Sequence, residues 1–254
     1  MVDNTIDDAW PLIDPDGTVR KVISAKELWQ KILTTRLQTG EPYLHFIDTA
    51  NKALPDTFKK WNKHIYGSNL CNEIELPTDK DNTAICCLSS LNLDYWDQWH
   101  SRKQFYLDVA EMLDNVLDIF IHTAPDTVAK AKLTAAFERN IGIGVMGFHS
   151  LLQSKGIPFE SASAKSLNMK IFRLIRWQLD EASLILGKIR GSAPVNMPGA
   201  MKRFGHLMAV APTASSSIIM GNTSPSIEPF RANAYRQDTL SGSFLNKNKH
   251  LDAL

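Results

Sequence analysis

Leu28, Ile32, Leu33 and Leu37 recur at helical spacing through residues 24–40, with polar positions filling the gaps between them. Ser24 and Glu27 stand as a capping box ahead of that run, and Gly40 suits its C-terminal cap. The pattern predicts a helix with those four apolar residues as its buried stripe. The same period is strongest over residues 101–123, where Phe105, Val109, Met112, Val116 and Phe120 mark the expected core face. A weaker helix is expected over 126–140 and a long amphipathic one over 160–191. Elsewhere the pattern shortens. "NLCNEIELP" (69–77) and "AICCLSSLNL" (84–93) read as strands on either side of the polar "TDKDNT" (78–83). "IGIGVMGFHSLL" (141–152) reads as a short buried strand entering a helix, and "LMAVA" (207–211) as an apolar strand running into a Pro-Thr-Ala-Ser-Ser-Ser loop. Residues 8–22 read as a turn-rich lead punctuated by Pro11, Pro15 and Gly17, and residues 41–67 as irregular. Strands separated by long helices predict an α/β protein with at least partly parallel strands. No repeat or linker divides the chain, and "NKNKHLDAL" (246–254) ends in an amphipathic stretch without a cap, as a slice of a larger protein would.

Composition narrows the function class. With 254 residues, 44% hydrophobic and 22% charged, the chain has ordinary globular make-up and enough length for a sizeable core. A formal net charge of +1 supplies no field that would steer it to nucleic acid or to a membrane, and neither is expected as a direct partner. The densest basic cluster, "FKKWNKH" (58–64), reads as a solvated face. The acidic start, "MVDNTIDDAW", lacks the apolar centre of a signal peptide, and no apolar run reaches the roughly 18 residues that a membrane span needs. Cysteines at 71, 86 and 87 do not make a secreted disulfide scaffold. A cytoplasmic, reducing setting is expected, in which free thiols persist for chemistry.

Asn69, Cys71 and Glu73 alternate, so an extended chain would send amide, thiol and carboxylate out from one face. An edge strand with a polar side and an active site both fit that alternation. "GIGVMG" (142–147) matches the glycine pattern of dinucleotide-binding turns, but about twenty residues on the sequence is helical and has no strand-ending acid. Its glycines therefore read as close strand–helix packing. The cysteine spacing lacks the paired short intervals of a zinc site, so no metal is expected. A Cys-His-Asn hydrolase triad stays open, because such partners meet in space rather than in sequence. "PTASSSIIMGN" (212–222) offers hydroxyls and a row of backbone N–H groups at a helix start, which suits an anion such as a phosphate, without the lysine of a P-loop.

Taken together, "SNLCNEIELPTDKDNTAICCLSSLNL" (68–93), "IGIGVMGFHSLL" (141–152), "APTASSSIIMGNTSPSIEPF" (211–230) and "YRQDTLSGSF" (235–244) resemble the large catalytic subunit of ribonucleotide reductase. The class I type fits best, and the adenosylcobalamin-dependent type shares several of these motifs. The resemblance runs over essentially the whole chain. It implies a portion of the family's ten-stranded α/β barrel with a central finger loop. Residues 1–254 would then be a partial catalytic barrel domain, without the allosteric, ATP-binding N-terminal domain and without the C-terminal redox tail.

The resemblance also implies roles. Cys71 matches the cysteine that becomes a thiyl radical and takes the 3′ hydrogen of the substrate ribose. Glu73 matches the general base on the 3′ hydroxyl, and Asn69 the amide that orients the ribose. Ser68 and Leu70 flank the cysteine as substrate-binding residues. Cys86 matches one member of the redox disulfide, while Cys87 departs from the family pattern and reads as a spectator. Thr213, Ala214, Ser215, Ser216 and Ser217 match the loop that holds the substrate phosphates. The implied activity is reduction of ribonucleoside diphosphates to 2′-deoxyribonucleoside diphosphates for DNA precursor synthesis. No cofactor would bind this chain directly. The radical would come from the metal cofactor of a separate small subunit, or from adenosylcobalamin in the alternative class, with thioredoxin or glutaredoxin as reductant. Further expected partners are a second large subunit in a homodimer and the missing portions of the large subunit, which include the partner cysteine of Cys86 and the paired relay tyrosines. The alternative is a non-catalytic fragment of a split or truncated subunit that needs a complementary chain.

Overall fold

The computed structural model describes residues 8–251, which fall into two compact units divided between Phe46 and Ile47. In the smaller one, β1 (Ala9–Ile13) and β2 (Val19–Ser24) form an antiparallel hairpin, followed by α1 (Ala25–Thr39). The lead expected as turns is thus a hairpin. Gly17, at φ 88, turns the chain, its N–H donates to the Asp14 carbonyl at 2.8 Å, and Pro11 is tolerated because it sits on an edge strand. Ser24 caps α1 by accepting the Glu27 N–H at 3.1 Å, and Gly40 closes it in the left-handed conformation, as the capping pattern predicts. The predicted buried stripe does not form. Leu28 and Ile32 are half-buried, Leu33 is exposed and Leu37 is 89% exposed, because a lone two-stranded hairpin offers little apolar surface to cover a helix.

The larger unit is built on a parallel pair, β3 (Cys87–Asn92) and β4 (Ile141–Met146), in register from Cys87 opposite Ile141 to Asn92 opposite Met146. All six residues of β4 are buried, as expected for a parallel strand covered on both faces. The expected strand at 207–211 is instead an irregular extended segment along the far edge of β4, where Ile141 and Ile143 donate to the His206 and Leu207 carbonyls at 3.1 and 2.9 Å. Glycines at 142 and 144 permit that approach. A Cβ on Gly144 would lie 2.3 Å from the Ala209 carbonyl oxygen, and one on Gly142 would meet Leu88 and Ala209 inside 3 Å. The glycines of "GIGVMG" therefore serve packing.

Short helices α2 (Ile47–Ala53) and α3 (Asp56–Lys60) occupy a region expected to be irregular, and α4 (Trp96–Trp99) follows β3. The long α5 (Lys103–Thr123) and α8 (Ala162–Arg190) pack beside one another over the strands, with α6 (Ala129–Glu138) and α7 (Phe148–Ser154) flanking β4. The core joins Tyr106, Leu113 and Leu117 of α5 to Ile143 of β4 and to Ile171 and Ile175 of α8. The face of α5 differs from the expected one by about one residue of rotation. Tyr106, Ala110, Leu113, Asp114 and Leu117 are buried, whereas Met112 and Val116 are 49% and 44% exposed. Both registers satisfy the helical period. Asp114 decides between them, because the guanidinium groups of Arg139, Arg190 and Arg203 hold it inside. After the 207–211 segment come α9 (Ala214–Ile219) and an antiparallel hairpin of β5 (Ala234–Thr239) and β6 (Gly242–Lys247). Among the described residues no helix is long and apolar enough to cross a membrane.

Candidate active site

Residues 69–77 do not form the strand that their alternation suggests. Asn69 folds them into a tight turn, its side-chain Oδ1 accepting the N–H groups of Glu73 and Ile74 at 3.0 and 2.9 Å. The Asn72 N–H donates to the Asn69 carbonyl at 3.1 Å, and Asn72 itself sits at φ 61, where asparagine is tolerated better than most residues. The Ser68 hydroxyl donates to Asn72 Oδ1 at 2.5 Å and braces the turn. Local side-chain-to-backbone bonds here outcompete a ladder that has no partner strand. Leu70, 90% exposed, and Cys71, also exposed, stand at the tip. Asn69 thus serves the turn with its oxygen, which leaves its amide N–H groups for hydrogen bonding. Farther along, the polar 78–83 segment turns where expected, with Asp79 Oδ1 accepting the Asp81 and Asn82 N–H groups at 2.7 and 2.9 Å.

Two cavities are lined by residues of this turn, and another adjoins one of them at Pro212. The first, about 410 Å³, is lined by Cys71, Glu73, Val210, Pro212 and the 226–228 segment. A second, also about 410 Å³, lies across Pro212 and is lined by Ser89, Ser90, Thr213 and Ser216. The third, about 290 Å³, brings Glu73 together with Cys86 and His206 over an apolar floor that includes Leu54, Ile65 and Met208. Glu73 therefore faces both the exposed thiol and the half-buried one, and its Oε2 is buried without a hydrogen-bond partner. Burial, with smaller contributions from the neighbouring Cys87 and Glu73 charges, pushes the Cys86 thiol up to about 12, so it carries its hydrogen at neutral pH. Cys87, on β3, packs instead against the main core. Burial, and to a lesser extent the Arg176 charge, pushes His206 down to about 4, and its Nε2 is likewise buried without a partner.

The hydroxyl loop divides its labour. Thr213 is buried, its Oγ1 accepting the Ser226 N–H at 2.8 Å and its carbonyl accepting the Ser217 N–H at 2.9 Å. The buried Ser217 donates to the Ala214 carbonyl at 3.2 Å. Ala214, Ser215 and Ser216 are exposed in the first turn of α9, where N–H groups have no helical acceptor four residues back. Ser216 opens on the cavity across Pro212, whereas Ser215 lines a separate cleft against Phe244 and Asn246 of β6. Sequence reasoning missed Ser226, Glu228 and His206 as lining residues. The Ser-Pro-Ser-Ile-Glu-Pro pattern marks a constrained turn, but nothing in it says what the turn faces. Among the described residues no group of three or more His, Cys, Asp or Glu side chains is placed to hold a metal ion.

The chain has close relatives among known proteins. The chain is 56% identical over 246 residues to the ribonucleoside-diphosphate reductase large subunit of Invertebrate iridescent virus 3, covering 96% of this chain and 39% of that one. It is 61% identical over 184 residues to the large subunit of the same name from Invertebrate iridescent virus 6, covering 72% of this chain and 19% of that one. The chain thus spans two fifths or less of these curated relatives. Its structure matches the Actinobacillus ureae class Id ribonucleotide reductase alpha subunit with a TM-score of 0.78 at 40% identity, over 82% of this chain and 40% of that chain. The parallel pair and its helices are accordingly a portion of that α/β barrel. Residues 12–197 and 200–254 match the family model described as ribonucleotide reductase, barrel domain, and the chain belongs to that family.

Proposed function

We propose that this chain supplies the radical cysteine and the substrate cavity of a ribonucleoside-diphosphate reductase, acting as part of a catalytic barrel domain. The observation that carries the reading is the shared wall at Pro212. On one side lies a cavity with Cys71 and Glu73, and on the other a cavity with Thr213 and Ser216. A nucleotide laid across that wall reaches thiol and carboxylate with its ribose, while its phosphates meet the first-turn N–H groups of Ala214, Ser215 and Ser216. The buried Thr213 and Ser217 hold the loop in shape. Ser68 acts through the turn and Leu70 lies beside the sugar at its tip.

In this reading the sulfur of Cys71, as a thiyl radical, takes the 3′ hydrogen atom, so an S–H bond replaces a C–H bond of similar strength. Glu73 accepts the 3′ hydroxyl proton, for which a carboxylate within hydrogen-bond reach is required, and the amide N–H groups of Asn69 orient the hydroxyls. The 2′ oxygen leaves as water. Two thiols, one of them Cys86, give up two protons and two electrons and end as a disulfide, and a hydrogen atom returns from Cys71 to C3′. The raised Cys86 thiol suits delivery of hydrogen rather than attack as a thiolate. The radical originates on the metal cofactor of a separate small subunit, and thioredoxin or glutaredoxin resets the disulfide. A large-subunit homodimer in the cytoplasm completes the proposal.

The test is nucleoside-diphosphate reduction by the assembled large and small subunits. Cys71→Ala brings turnover to background while substrate binding and the thermal midpoint stay unchanged, since an exposed loop tip contributes little to stability. Full activity in that variant rejects the reading.

A further inference from the structure

The thiol cavity carries a second carboxylate that the steps above leave unused, that of Glu228. Although Glu228 is exposed, its backbone is held on both sides. Two residues before it, Ser226 sits at φ 41, gives its N–H to the buried Thr213 hydroxyl at 2.8 Å and accepts the Phe148 N–H at 3.4 Å. Two residues after it, the Phe230 N–H donates to His149 Nδ1 at 3.2 Å. Pro229 restricts Glu228 further, towards extended backbone. Only three residues span these anchors, so the position of Glu228 follows from buried groups of α7 and of the hydroxyl loop.

The lining of this cavity has one sign. No Lys, Arg or His borders it among the described residues, and its polar side chains are Glu73, Glu228, Cys71, Asn72 and Ser226. Two carboxylates in one space repel a phosphate and favour a ligand that presents hydrogen-bond donors. The cavity across Pro212 is bordered by Ser89, Ser90, Thr213 and Ser216, with no acid among its lining residues. Charge thus sorts the two ends of a nucleotide, sugar hydroxyls to the acidic side and phosphates to the side of the hydroxyls and free N–H groups.

We infer that Glu228 is a substrate-binding residue that accepts a hydrogen bond from a ribose hydroxyl and fixes the sugar against Cys71 and Glu73. This assignment rests on the reading of the site as a ribonucleotide cavity. Its test compares, in the assembled reductase, binding of a ribonucleoside diphosphate and of its 2′,3′-dideoxy counterpart by equilibrium dialysis. The wild type prefers the ribonucleotide. Glu228→Ala weakens ribonucleotide binding about tenfold or more, the range for a hydrogen bond to a charged group, and leaves the dideoxy form unchanged, so the preference narrows by that factor. Glu228→Gln, which keeps a carbonyl acceptor, retains an intermediate preference. A purely structural role would weaken both nucleotides equally, and that result overturns the assignment, as does an unaltered preference in Glu228→Ala or none in the wild type. Failure of the wild type to bind either nucleotide, or turnover surviving in Cys71→Ala, rejects the parent reading instead. With both of those intact, the Glu228 variants decide this assignment alone.

Discussion

Two clusters of polar side chains in the larger unit treat their hydrogen bonds in opposite ways. Around Asp114 every acceptor is taken. Arg139 donates to Oδ1 from Nε and Nη2 at 3.0 and 2.5 Å, Arg203 Nε bridges both oxygens at 3.0 and 3.1 Å, and Arg190 Nη1 reaches Oδ2 at 3.0 Å. Asp118 and Glu111 take further guanidinium N–H groups. Around the cavities at Cys71, Glu73 Oε2 and His206 Nε2 are buried with no partner, and the thiol is exposed. The first cluster is saturated and ties α5, the end of α6 and the end of α8 to the 203 segment. The second leaves Glu73 Oε2 and His206 Nε2 without an internal partner, as the proposed substrate site requires. Polar groups used up internally mark structure, and polar groups held in place but unspent mark a site.

The sharpest way to break that contrast is to remove the hub of the saturated cluster. Burial alone would raise the Asp114 carboxyl, but the hydrogen bonds and charges of Arg203 and Arg139 outweigh it and hold the group below the usual range. Asp114→Ala leaves three guanidinium groups around an empty buried position, with only the part-exposed Asp118 and Glu111 as counter-charges. It should cost about 3–5 kcal/mol, the usual penalty for breaking a buried ion pair, read by urea denaturation. A loss below about 1 kcal/mol would mean that the network is solvated and not structural. A smaller effect is expected on the side of the site. Gly144→Ala places a methyl group against the Ala209 backbone, which cannot swing away as a side chain could. The variant should lose about 1–3 kcal/mol and should weaken nucleotide binding as well, because residues 209–212 carry the shared wall. Unchanged binding would detach the scaffold from the site.

How much of this was legible in the sequence follows from the range of each interaction. Caps and periods are local, so the helices at 24–40, 101–123 and 160–191 form close to where the pattern predicts, down to the caps Ser24 and Gly40 of the first. The parallel strand at 141–146 was legible too, because its glycines and apolar residues follow from close burial. What failed depends on distant partners. The buried face of α5 turns on Asp114, whose guanidinium partners lie 25, 76 and 89 residues away. The thiol turn looked like a strand because Asn69, Cys71 and Glu73 alternate, and only the bonds from Asn69 Oδ1 to the chain four and five residues on show otherwise. Glu228 was invisible as a lining residue, since nothing in "SIEPF" encodes the cavity across from it.

The buried Glu138 and His206, which lines the third cavity, sharpen the comparison through pH. Burial is the main cause that pushes Glu138 up to about 7, against the opposing pull of the Asn140 amide at 2.7 Å and of Lys63 at 4.0 Å. Burial likewise pushes His206 down to about 4. Each prefers its neutral form in the folded state, and their stability effects run in opposite directions. Between pH 4.5 and 7 the folded state holds the Glu138 proton that the unfolded state has lost, so this group makes stability fall as pH rises. Between pH 4 and 6.5 the unfolded state binds a proton at His206 that the folded state does not, so that group makes stability rise with pH. Over their common window, pH 4.5–6.5, one proton is taken up and one released, and the two slopes cancel. Removing either partner uncovers the other. Glu138→Gln should show stability climbing with pH through that window by up to about 1.4 kcal/mol per pH unit, and His206→Leu should show it falling by a similar amount. Urea midpoints measured at pH 4.5, 5.5 and 6.5 for the wild type and both variants are the readout. Parallel profiles in all three proteins would show that neither group is held neutral by the fold, and that this side of the site is as wet as the thiol tip.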